Sequence, residues 1–173
     1  MCETNRKPKI IKFIAVIMYS NCRTNKIISD YTLWPFWVDT HVTPPFKKKE
    51  NDIVDSHDQI IQHYKEVPDV LKHLHEEGYE LGVASRTSEI QGAKQLLNLF
   101  NWDKYFKYKE IYPGCKINHF SKIQKASGTN YKDMVFFDDE HRNIVDVGKL
   151  GVTCIIVKNG VNHTLVESAL KKF

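Results

Sequence analysis

The chain has 173 residues, 42% of them apolar and 27% charged, which fits one globular domain large enough to bury a core. The net charge of +4 is spread along the chain, and the densest basic run, Lys47–Lys49, is followed at once by acidic groups, so it reads as a solvated loop and argues against a nucleic-acid partner. Four scattered cysteines without a Cys-x-x-Cys pair argue against a disulfide framework and against zinc, and point to reduced thiols in a cytoplasmic protein.

The first apolar run, Ile10–Met18, is about half a membrane span and carries Lys12, so no membrane partner is expected. Arg6, Lys7 and Lys9 ahead of it give a faint likeness to a signal peptide, but no Ala-x-Ala-like site follows; a buried strand is the better reading. A second strand candidate, Lys26–Ser29, leads directly into Asp30. The two compete for the first, central strand. Covalent attachment to Asp30 favours Lys26–Ser29, with residues 1–25 as an atypical N-terminal segment and 26–173 as the domain.

Residues 34–66 hold Trp34, Pro35, Phe36, Trp37, Pro44, Pro45 and Phe46, followed by a charged stretch. This reads as a small flap or hairpin over a site, or equally as aromatics packed between loop and core. From Val67 onward helix and strand alternate. Val67, Val70, Leu71 and Leu74 recur at helical spacing, with Pro68 in the first turn and Gly78 at the end. Leu81–Ala84 is a short apolar strand. Ser88 and Gln91 form a candidate capping box ahead of the helix carrying Ile90, Ala93, Leu97 and Phe100. Then come a strand at Lys109–Tyr112, a helix from Ile117 to Lys125, a strand at Met134–Phe137, a helix at Asn143–Leu150 and a strand at Val152–Val157. The alternation predicts an α/β fold, Rossmann-like, with a central parallel sheet flanked by helices.

In such sheets ligands sit beyond the carboxyl ends of the strands. Polar residues fall there four times: Asp30, then Ser85 and Arg86, then Lys116, then Asp138 and Asp139. Taken singly, each has a plain structural reading: a helix cap, a surface lysine, a loop entering a helix. Together they are what phosphoryl transfer requires, namely charge compensation around equatorial oxygens and a proton donor. Asp138 and Asp139 suit a hard, oxygen-ligated ion such as Mg2+, Lys116 and Ser85 could hold phosphate, and Arg86 could clamp an anion.

The segments Asp-Tyr-Thr-Leu-Trp-Pro-Phe-Trp-Val-Asp-Thr-His-Val (30–42), Ala-Ser-Arg-Thr-Ser-Glu-Ile-Gln-Gly-Ala (84–93), Ile-Tyr-Pro-Gly-Cys-Lys (111–116) and Val-Phe-Phe-Asp-Asp-Glu-His-Arg-Asn-Ile (135–144) closely resemble the magnesium-dependent phosphatase-1 group of the haloacid dehalogenase superfamily. The resemblance implies a small flap and no large cap domain, and Mg2+-dependent hydrolysis of phosphomonoesters through an aspartyl-phosphate. Implied substrates are phosphotyrosine in protein and sugar or fructosamine phosphates. Asp30 would be the general acid and part of the metal set with Asp138 and Asp139. Ser29, Ser85, Arg86 and Lys116 would hold phosphate, and Trp37 would line the entrance.

One departure stands out. The family motif is Asp-x-Asp-x-Thr, and here Ile28 stands where the nucleophilic aspartate belongs. No aspartate occurs in residues 1–29, so no shift of register supplies one. Residues 7–13 resemble the segment before the missing aspartate, and Ile14–Ser29 then intervene as an alternative exon or unremoved intron would. The implied consequence is an impaired enzyme, or a non-catalytic phosphate-binding module. Cysteine-based phosphatases are excluded, because the sixth residue after each cysteine is Pro8, Ile28, Ser121 or Gly160 and never arginine. A phospho-receiver domain would place its acid pair first along the chain, and a dinucleotide enzyme would carry a G-x-G-x-x-G.

Overall fold

The computed structural model describes residues 13–16, as backbone alone, and residues 32–172. Strands β1 (Phe13–Val16), β2 (Lys47–Lys49) and β3 (Asp52–Val54) come first, and helix α1 (Val67–Glu76) opens the alternation. It continues through β4 (Glu80–Ser85), α2 (Ile90–Leu99), β5 (Phe106–Ile111), α3 (Lys116–Ser127), β6 (Met134–Asp138), α4 (His141–Gly148), β7 (Thr153–Ile156) and α5 (His163–Leu170). Five strands form one parallel sheet in the order β5-β4-β1-β6-β7. The hairpin β2–β3 stands apart from it.

Alternation along β6 explains the layers. Val135 and Phe137 join the larger apolar cluster with α1, α2 and the aromatic insertion, while Met134 and Phe136 join a second cluster with Phe120, Ile123 and Val147 from α3 and α4. A strand apolar on both faces must be covered on both faces, as parallel strands are. The expected Rossmann-like architecture is therefore observed.

The central place is held by β1, with Ile14 opposite Leu81 on one side and Val135 on the other. The expectation that Lys26–Ser29 fills it is corrected. A central strand is selected by burial between two neighbours, and the longer apolar run supplies more of it; proximity to Asp30 adds none. Lys26–Ser29, and with it Ile28, Ser29 and Asp30, lies outside the described residues.

Part of the insertion after residue 33 packs its aromatics between loop and core. Trp34 stacks on Phe36 at 5.5 Å and on Trp102 at 6.3 Å, and is almost wholly buried. Asp55 then organises the hairpin by accepting the backbone N–H groups of Thr43, His57 and Gln59. Burial works to raise the Asp55 pKa, but these donors outweigh it and hold the carboxyl below its ordinary value. The loop around Trp37–His41 is tied to the turn after β4 by the hydrogen bond from Ser88 to Asp39.

Helix boundaries follow local chemistry, with one correction. The N-cap of α2 is Glu89, whose side chain accepts the Gly92 N–H; Ser88 instead donates to the Asp39 carboxylate at 3.2 Å. Gly128, at φ +70°, ends α3 in the left-handed conformation that glycine adopts without strain. Helix α5 carries Val166 and Ala169 into the larger core, an element the sequence reading left unassigned.

Candidate active site

Four chain segments meet at the carboxyl edge of the sheet. The first begins at Thr32. Its carbonyl accepts the Val161 N–H at 3.0 Å, and the Leu33 carbonyl accepts the Tyr64 N–H at 3.1 Å. Gly160 is required nearby: its φ is +73°, and a Cβ there would lie 2.3 Å from the Tyr64 ring. Thr32 is buried, and its hydroxyl has no hydrogen-bond partner among the described residues.

The second segment leaves β4. Ser85 is fully buried, and its Oγ accepts the Thr87 N–H at 3.2 Å. That leaves the hydroxyl proton to be donated elsewhere. Thr87 in turn accepts the Glu89 N–H, so two side chains shape the turn into α2. Arg86 folds back along the edge. Its guanidinium lies 3.4 Å from the Asn143 Oδ1 and 3.6 Å from a Glu140 carboxylate oxygen.

The third segment is the start of α3. Lys116 is its first residue, and the side chain runs inward to a fully buried ammonium. The Nζ donates to the Ala84 carbonyl at 2.5 Å and sits 3.9 Å from Asp138. The fourth is the end of β6. Asp138 is saturated: it accepts the Glu140 N–H at 2.6 Å and the Asn143 amide at 3.0 and 3.1 Å. Asp139 differs, because its Oδ1 is buried without a hydrogen-bond partner among the described residues.

Three charges packed out of water move their own equilibria. Burial pulls the Lys116 pKa down to about 8, although Asp138 works against the fall. Burial pushes Asp138 up to about 6, with Lys116 and the two donors resisting. Burial and the neighbouring Asp138 charge push Asp139 up to about 8. A cation at Asp139 would offset that shift by compensating the buried negative charge. The orphaned, buried, hard oxygen fits Mg2+ by donor chemistry. Among the described residues no cluster of three or more potential metal ligands occurs. Asp138 and Asp139 are two carboxylates, and Asp30 lies outside the description.

Trp37 is half-buried, stacks on the His41 ring at 5.0 Å and donates its backbone N–H to His41 Nδ1. The Asp39–Ser88 hydrogen bond sets this loop against the turn that follows Ser85. The structure thus brings Ser85, Arg86, Lys116, Asp138 and Asp139 to one edge. Sequence reasoning missed Asn143, which joins Asp138 to Arg86, and His119, which joins the ends of β4 and β5 to α3. Two signals could have found them: His119 is three residues from Lys116 on one helix face, and Asn143 is in the first turn after the acid pair.

The sequence profile of the Acid Phosphatase family matches residues 29–173. The chain is 55% identical over 145 residues to human magnesium-dependent phosphatase 1, covering 83% of this chain and 82% of that one. It belongs to the magnesium-dependent phosphatase group of the haloacid dehalogenase superfamily. A HAD-like hydrolase superfamily protein of Schizosaccharomyces pombe is 43% identical over 147 residues, covering 77% of this chain and 85% of its own. Among solved structures, a HAD-superfamily hydrolase of Geobacter sulfurreducens superposes with a TM-score of 0.53 at 18% identity, covering 64% of this chain and 61% of that one; it shares the fold. No helix among the described residues is long and apolar enough to cross a membrane.

Proposed function

We propose that this chain binds phosphomonoesters and Mg2+ at the carboxyl edge of its sheet, and that its hydrolytic step is crippled because Ile28 stands in the nucleophile's place. The observation that carries the reading is the buried Lys116–Asp138–Asp139 group beside the Ser85 hydroxyl. Burying three charges is costly unless a ligand of matching charge uses them. The Ser85 O–H would donate to a phosphate oxygen, and the Lys116 ammonium would neutralise both phosphate and carboxylate. Arg86, with Ser29, would complete the anion site. Asp139 would hold Mg2+, with Asp138 and Asp30 beside it; when bound, the ion supplies neutralisation of charge on the phosphoryl oxygens. Trp37, in the loop against the Ser85 turn, would line the entrance.

In the family reaction a carboxylate attacks phosphorus, the bond to the ester oxygen breaks, and that oxygen takes a proton. Asp30 would give the proton. Isoleucine has no lone pair with which to begin the sequence, whereas the anion site does not depend on it. Substrates of the intact reaction would be phosphotyrosine in protein or small sugar phosphates, in the cytoplasm.

Hydrolysis of p-nitrophenyl phosphate with Mg2+ tests this. The chain as it stands should turn over on the order of 10^6-fold more slowly than its Ile28→Asp variant, the scale on which a lost nucleophile is felt. Fast, Mg2+-dependent turnover by the unaltered chain overturns the crippled-enzyme reading. Phosphate binding without turnover in both proteins favours the second reading, a non-catalytic phosphate-binding module.

A further inference from the structure

His119 lies one turn into α3, fully out of solvent, three residues beyond Lys116. Among the described residues its ring nitrogens meet only carbonyl oxygens. Nδ1 is 2.9 Å from the Cys115 carbonyl, and Nε2 is 3.0 Å from that of Ser85 and 2.9 Å from that of Tyr112. These three carbonyls belong to the N-cap of α3, the end of β4 and the residue after β5. Carbonyl oxygens accept and never donate, so a ring nitrogen without a proton would point its lone pair at another lone pair. Only the doubly protonated ring satisfies all three contacts.

We propose that His119 is a positioning residue for the anion site: as an imidazolium it clamps the ends of β4 and β5 to the start of α3, and so fixes Ser85 relative to Lys116. The Ser85 carbonyl is held by the ring, and the Ser85 hydroxyl stands on the same residue. Lys116 starts the helix whose N-cap carbonyl the ring also holds. The clamp is braced from one side, where the Tyr112 ring stacks on His119 at 4.2 Å, with the planes 9° apart, and the Lys122 ammonium lies 4.3 Å over the Tyr112 ring. Burial above all, with the Lys116 charge, holds the His119 pKa below its ordinary value, and the hydrogen bonds to the three carbonyls oppose that fall. Glu110, the carboxylate of β5, acts on the Tyr112 hydroxyl. The geometry argues the other way: three fixed acceptors, two of them sharing the Nε2 proton, offer charge-assisted hydrogen bonds that only the cation makes in full. The role rests on Ser85 and Lys116 being the phosphate site.

Two measurements on the full chain test it. Long-range 15N–1H correlation of the His119 ring should show both nitrogens protonated at neutral pH; a neutral ring overturns the proposal and requires no variant. Binding of inorganic phosphate with Mg2+ should weaken about tenfold or more in His119→Phe, which keeps the stack on Tyr112 and loses both donors. His119→Gln, which restores donors, should recover most of it. Wild-type affinity in His119→Phe, or no recovery in His119→Gln, overturns the positioning role. An absence of phosphate binding in the unaltered chain overturns the anion-site reading and the positioning role with it, while the ring spectrum still decides the clamp by itself.

Discussion

The two ends of the sheet use the same side chains to opposite effect. At the amino end, Glu80 pairs with Lys107 and accepts the Tyr108 hydroxyl, and the lysine side chain is 59% exposed. At the carboxyl end, Lys116 and Asp138 are wholly buried 3.9 Å apart. An exposed pair gains little from its attraction, since water already solvates both partners. A buried pair gives up that solvation and keeps its place only through close contacts such as those to Ala84, Asn143 and the Glu140 N–H. The contrast teaches that the carboxyl edge is arranged for something other than the stability of the fold.

The largest expected effect comes from splitting the buried pair. Lys116→Met leaves Asp138 buried with its compensating ammonium gone, and should destabilise the chain by about 3–5 kcal/mol in urea denaturation. If the loss matches that of an ordinary surface substitution, the two ends are alike and the contrast fails. The next effect concerns Asp139. Its Oδ1 lacks a partner among the described residues, so Asp139→Asn should leave stability in chelator unchanged or slightly raised. Added Mg2+ should raise the Tm of the unaltered chain and not that of the variant. A Tm that rises equally in both places the ion elsewhere.

A smaller effect appears with pH in chelator. Asp138 at about 6 and Asp139 at about 8 both lie above the ordinary 3.8. Between roughly pH 4 and 8 the folded chain therefore holds more protons than the unfolded one, and stability falls as pH rises. Lys116 runs the other way. Its pKa is about 8 when folded against 10.5 when free, so the unfolded chain holds more protons between those values and stability climbs again. A stability minimum near pH 8 in urea titrations, made shallower by Mg2+, is the expected profile. A flat profile would show that water reaches these groups as freely as it reaches the amino end.

Much of this was legible in the sequence, for physical reasons that also mark where legibility ends. Strand ends were readable because apolar runs such as Met134–Phe137 stop at charges, and a parallel sheet gathers those stops on one edge. The central strand was not, because two short segments competed and only burial between β4 and β6 chose between them. Trp34 and Trp37 look alike in sequence; one stacks on Trp102 in the core and the other sits in the loop that Asp39 ties to the turn after Ser85, a difference set by neighbours the fold brings near. Asn143 and His119 were hidden because their partners are backbone groups or residues on other elements, brought near by the fold alone.

The smallest expected effect belongs to the amino end and is the control for the rest. Glu80→Gln removes the carboxylate from Lys107 and leaves an amide that still accepts from the Tyr108 hydroxyl. The hydroxyl stays paired and the lysine is solvated, so no buried group is orphaned. The denaturation midpoint should be unchanged within error at moderate salt, and any shift at low salt should vanish as screening removes the attraction. A loss approaching that of Lys116→Met would mean that the Glu80–Tyr108 contact anchors the β4–β5 pairing. Tyr108 sits opposite Gly82 beside the irregularity in that pairing and packs against the cluster of Phe120 and Phe136, so the hydroxyl contact has a route into the core. Tyr108→Phe distinguishes the two cases, since it removes the hydroxyl while leaving the charges in place.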